Sequence, residues 1–76
     1  LKGVDAEIIE VEVKEGAEVL GKELKDLNFP KDSIVGGLTR GEKAYFPRGG
    51  FEFKEEDRVI IVTKKETKST IESMFK

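Results

Sequence analysis

The sequence contains neither cysteine nor histidine among its 76 residues. Disulfides, thiolate or imidazole zinc sites and the usual nucleophile–base pairs of covalent catalysis are therefore closed to it. Long apolar runs are missing too. The longest, Val59-Ile60-Ile61-Val62, falls far short of the ~20 residues that a membrane-spanning helix needs, so direct membrane insertion is not expected. No block of one charge exists either: 14 basic and 16 acidic residues interleave along the chain, for a formal net charge of −2. Nothing in that pattern collects phosphates, and nucleic acid is not an expected partner. A secretory signal is also absent, which together with the missing cysteine leads us to expect a cytoplasmic setting.

A chain this short forms one domain, because two cores would leave too much surface. Domains near this size bury only about 60% of the surface that their unfolded chain exposes. Many complete their stability with a disulfide, a metal or a partner. With the first two closed, self-association is the route left. The chain opens on Leu1 and holds its one methionine at Met74, as expected of a piece cut from a longer polypeptide.

What is present is patterned. Ala6 to Val13 alternates, with Ile9, Val11 and Val13 on one face and Glu10 and Glu12 on the other, the signature of a half-buried strand. Ile8 falls on the polar face, either as a harmless exposed residue or as part of a contact surface. After Glu15-Gly16, the spacing of Leu20, Leu24 and Leu27 predicts a short amphipathic helix, ended by Asn28 and Pro30. Ser33 to Arg40 is again extended. Its Gly36-Gly37 pair marks either a bend or a close approach by a ligand or second subunit. Arg40-Gly41-Glu42-Lys43 offers glycine where a type II′ hairpin turn requires it, leading to a strand over Lys43-Ala44-Tyr45-Phe46 that Pro47 ends. Phe51 and Phe53 share one side of an extended segment, followed by a charged turn, Lys54-Glu55-Glu56-Asp57. The β-branched run Val59 to Val62 predicts a central strand covered on both faces. Thr67, Ile71, Met74 and Phe75 predict a closing helix. The expected architecture is α+β, a mostly antiparallel sheet with two helices packed on it.

In order, Ile8-Ile9-Glu10-Val11-Glu12-Val13, Leu20 to Leu27, Ile34 to Arg40, the hairpin, Phe46-Pro47, the turn ending in Asp57, Val59 to Val62 and the tail to Met74-Phe75 resemble the TrkA-C (RCK-C) domain family. No one motif is diagnostic; the ordered set is, and it covers nearly the whole chain. The resemblance is strongest toward the potassium-uptake regulators of that family. It implies a single β-α-β-β-β-α domain over residues 1–76, excised from a larger protein in which it usually follows a Rossmann-like domain. It further implies a homodimer that passes ligand state to a membrane potassium transporter or channel, and a location at the inner face of the plasma membrane through that partner. The glycine-rich phosphate fingerprint of a dinucleotide site is absent, so no cofactor is expected in this fragment.

Some relatives bind cyclic di-AMP between two copies of this module, through the region matching Ile34 to Pro47. The resemblance therefore nominates Arg40 for a phosphate, with Val35, Phe46 and Pro47 as apolar surroundings. Against this, an arginine beside a hairpin turn is more commonly a solvated or ion-paired surface residue. The family usually has Gly-Asp where this chain has Glu56-Asp57, so either the turn differs or a glutamate is held in a glycine conformation.

Other residues also carry two interpretations. Glu55, Glu56 and Asp57 could join Glu10 or Glu12 around a hard cation, but no loop of alternating oxygen ligands exists and no metal site is expected. Asp57 suits a hydrogen bond to its own turn backbone. Of the aromatic residues, Phe46 and Phe53 are assigned to packing, while Tyr45 and Phe51 stay open between core and contact surface. Ile8 and Tyr45 are the candidate dimer-interface residues. An enzyme would need a carboxylate dyad in a cleft that this short, strongly patterned chain leaves little room to build, so no catalytic residue is nominated. Two functions compete: a structural dimerisation module, and a sensor of cyclic di-AMP or another small anion, in a potassium system or in another transporter, antiporter or transcription regulator.

Overall fold

The computed structural model describes residues 3–76. Four strands, β1 (Ala6–Glu12), β2 (Ser33–Arg40), β3 (Lys43–Tyr45) and β4 (Arg58–Lys64), are followed by one helix, α1 (Lys68–Met74). They form an antiparallel sheet in the order β1-β4-β2-β3. The α+β class is as expected.

Alternation fixes the faces. Ile9, Val11 and Val13 stand over Ile61 and Val59 of β4 and Leu38 of β2, and this side receives Ile71, Met74 and Phe75 from the helix end. Hydroxyls close the β4–α1 joint. The fully buried Thr63 shares a 2.6 Å hydrogen bond with Thr67, whose hydroxyl also donates to the Lys64 carbonyl at 3.1 Å. At the hairpin, Gly41 has φ 62 and Glu42 stays out of the left-handed region, as a type II′ turn demands.

Three expectations need correction. The helix expected over Leu20 to Leu27 is only a single 3-10 turn, Leu24–Asp26. Gly16 and Gly21, at φ 80 and 81, break helical continuity. The Leu24 and Lys25 N–H groups donate instead to the carbonyls of Phe51 (2.7 Å) and Gly49 (2.9 Å). The leucines still pack on the core, half-buried. Second, β4 is central but covered on one side only. Every helical element lies on the Ile61 side, which leaves Ile60 37% exposed. Third, Phe46 falls outside β3 and is 77% exposed, not core; Phe53 is buried as expected.

Of the two interpretations of the glycine pair, the structure carries the bend, and the close neighbour it shows belongs to the same chain. The β2–β4 register slips between Val35 and Gly37, so Gly36 is the extra residue of a bulge that bends the strand. Gly37 is the close approach, made within the chain: a Cβ there would lie 3.3 Å from the Tyr45 carbonyl and 3.5 Å from the Phe46 ring.

Candidate functional site

Two features stand out, one on each side of the sheet. On the inner side, Asp57 at the head of β4 is completely buried. It is held by a bidentate pair with Arg40 at the end of β2: Nε donates to Oδ1 and Nη2 to Oδ2, each at 2.8 Å. Oδ2 also accepts from the Lys54 N–H at 2.8 Å, which ties the carboxylate to its own turn as expected. Arg40 Nη2 reaches the Glu52 carbonyl at 3.2 Å. The guanidinium carbon lies 5.0 Å from the Tyr45 ring centroid and 5.1 Å from that of Phe51. The hydrogen bond to Asp57 raises the Arg40 pKa above its ordinary value, while desolvation pulls more weakly the other way. A planar fork with both arms on one carboxylate is the strongest form of this pairing. It bolts the β2–β3 hairpin to the start of β4.

The turn preceding Asp57 is closed by the Asp57 N–H donating to the Lys54 carbonyl (3.1 Å), with Glu56 at φ 74. This is the type II geometry, in which the third residue sits where glycine is favoured. Glutamate is therefore held in a glycine conformation, and its N–H donates to the Val13 carbonyl at 2.8 Å.

On the outer side lies an uncovered apolar face. Ile8 is 61% exposed and Ile34 65%; with Ile60 and Val62 they make a strip across β1, β4 and β2, and the Phe46 ring, just past β3, lies on the same side. An ion pair of Arg58 with Glu10 (3.3 Å) borders it. A hollow of about 290 Å³ opens in this face above Gly36 and Gly37, walled by Ala44, Phe46 and Ile60. Beside it, where β3 stops and leaves half of β2 without a neighbour, a groove of about 390 Å³ is lined by Leu27, Phe29, Ile34 and Pro47.

The four residues nominated for an anion do not converge. Arg40 stands on the inner side, committed to Asp57, whereas Phe46 lies on the outer side. Val35 and Pro47 line the groove. The two interface candidates also part company: Ile8 belongs to the open face, while Tyr45 is half-buried beneath Arg40, its ring 6.0 Å from that of Phe51. The Arg40–Asp57 pairing was not nominated from sequence, and no local signal joins residues 17 positions apart. Ile34 and Ile60 were missed as surface residues because a β-branched run reads equally as core. Among the described residues, no three potential metal ligands cluster and no buried side-chain polar atom lacks a partner.

A small antiparallel sheet covered on one side only, with a carboxylate-locked hairpin, defines a small α+β domain. The sequence profile of the TrkA-C domain matches residues 8–76, and the chain belongs to that family. It is 37% identical over 76 residues to the "Trk system potassium uptake protein TrkA homolog 1" of Methanosarcina mazei, and 38% identical over 69 residues to the "Trk system potassium uptake protein TrkA homolog" of Archaeoglobus fulgidus. The matches cover 100% and 91% of this chain, but only 17% and 16% of those relatives. Among solved structures, one titled "Structure of RCK domain with cda" has the same fold, with a TM-score of 0.79, 19% identity and coverage of 91% of this chain and 97% of that one.

Proposed function

We propose that this chain is the dimerisation and regulatory module of a potassium uptake or channel-gating protein, acting in the cytoplasm beside a membrane potassium transporter or channel. It is not read as a catalyst. Family membership and relatives named for potassium uptake support the setting. The observation that carries the role is the uncovered apolar face. A charge-free strip centred on Ile60 and Ile34, rimmed by both signs, suits a copy of itself, because a two-fold contact lays each patch on its own twin and a one-signed rim would repel. Coupling to transport would follow from fixing the geometry of two longer subunits.

The sensing alternative has less to stand on. Its nominated cation, Arg40, has both arms on Asp57 and lies across the sheet from the open hollow. Cyclic di-AMP is accordingly expected to leave the melting temperature unchanged. A specific ligand at a hundred times its Kd would add about 2.7 kcal/mol, and a shift of that size would restore the sensing reading. The dimer is tested by sedimentation equilibrium on the 76-residue chain. The regulatory role is tested by potassium-limited growth of cells whose longer protein carries Ile60→Asp in this module. Growth at the wild-type rate, with the variant protein present at wild-type level, would overturn the role.

A further inference from the structure

Besides its apolar face, the sheet has a free edge at β1. That strand ends the β1-β4-β2-β3 order, and no strand lies beyond it. One bond fixes which backbone groups the edge presents. The Val13 N–H donates to the Asp57 carbonyl on the β4 side (2.9 Å), so odd-numbered residues turn their N–H and C=O groups to β4 and even-numbered ones turn theirs away. Lys14 agrees, since its N–H donates away from β4, to the Phe75 carbonyl at 2.8 Å. The backbone groups of Ile8, Glu10 and Glu12 therefore point out from the edge, and among the described residues none of them meets another segment. Neither a bulge nor a proline blunts the strand, which keeps one register with β4 over its seven residues.

The surroundings of this edge are acidic. Residues 3–18 hold six acids, Asp5, Glu7, Glu10, Glu12, Glu15 and Glu18, against one base, Lys14, in a chain whose net charge is only −2. Ion pairs of Glu7 with Lys68 (3.4 Å), Glu10 with Arg58 (3.3 Å) and Glu12 with Lys14 (3.1 Å) lessen that field without cancelling it, and the Glu10 and Glu12 side chains stay 52% and 33% accessible. A second copy pairing here would bring the same acids with it and be repelled. On the inner side, a hollow of about 210 Å³ opens between the edge and the end of α1, with Val11 and Phe75 as its apolar lining. We propose that β1 accepts an added antiparallel strand from a partner protein, an extended basic segment. Its lysine or arginine side chains face Glu10 and Glu12 on the outer side, and the apolar residues that alternate with them face the inner side, where one enters the hollow beside Val11. The proposal does not rest on the dimer reading.

The probe is a fluorescein-labelled peptide of alternating lysine and valine, about as long as β1, titrated with the 76-residue chain and read by fluorescence anisotropy. Directly opposed residues of an antiparallel pair share a face, so the lysines lie opposite Glu10 and Glu12, whose backbone groups point at them. The lysine N–H groups then donate to β1 and the valine N–H groups point away. The peptide should bind saturably, and N-methylation of its lysine amides should weaken binding at least about tenfold, whereas N-methylation of its valine amides should not. A glutamate–valine peptide should not bind. With the lysine–valine peptide bound, amide hydrogen exchange should slow at Ile8, Glu10 and Glu12. All the changes are made in the peptide, so no outcome depends on the folding of a variant. Absent binding, equal affinity of the two methylated peptides or a reversal of their order, or equal binding by the glutamate peptide overturns the proposal. Slowed exchange at the same three amides in the chain alone, growing with its concentration, would assign the edge to a second copy and overturn it too.

Discussion

Glu56 is the residue whose backbone least suits its side chain. A non-glycine residue in the left-handed region costs about 1–2 kcal/mol, and nothing else in the turn requires glutamate there, since its side chain is exposed. Glu56→Gly should therefore raise stability by up to about 1 kcal/mol, the strain relieved being partly offset by the greater freedom glycine gives the unfolded chain. Thermal melting checks this, and a fall in melting temperature would show that the strain is compensated elsewhere. Arg40 and Asp57 behave in the opposite sense. Arg40→Ala leaves a fully buried carboxylate with the Lys54 N–H as its remaining partner, a change worth about 3 kcal/mol or more in comparable sites. Arg40→Lys should recover little of it, because an ammonium cannot offer the planar fork. If lysine restores the parent denaturation midpoint, charge alone and not fork geometry holds the hairpin. From sequence, the strain at Glu56 was visible as one of two possibilities, whereas the pair was hidden. The first is local chemistry; the second depends on β2 and β4 lying side by side.

At the scale of elements, the strands were legible and the first helix was not. Period-two alternation names both the element and its buried face, as it did for β1, and a glycine at the first turn position named the hairpin. The leucines at 20, 24 and 27 have helical spacing, yet an equal spacing arises when a chain winds through turns with its apolar residues facing one core. The segment's N–H groups found carbonyls on the Phe51 strap, and Gly21 sits at φ 81. Gly21→Ala should then destabilise the fold by about 1 kcal/mol, whereas in a helix interior the same change would stabilise it by a similar amount. Urea denaturation reads the sign directly. The closing helix was placed to within a residue because Ile71, Met74 and Phe75 are all buried against the sheet.

For the whole molecule, the decisive property is that one face of the sheet has no cover. If a second copy supplies it, the melting temperature of the chain rises with its concentration, since dissociation accompanies unfolding. Ile60→Asp should abolish that dependence by placing a carboxylate at the centre of the strip, while leaving the inner core intact. Concentration-independent melting of the parent would count against a dimer.

Composition, alternation and turn chemistry thus settled in advance that this chain is a small antiparallel α+β domain without thiol or imidazole chemistry, because each of those properties is written in residues close together in the sequence. Which apolar residues face outward, and that Arg40 turns inward to Asp57, depended on where the helical elements pack and which strands become neighbours. Those are contacts between distant residues, and only the folded chain brings them together.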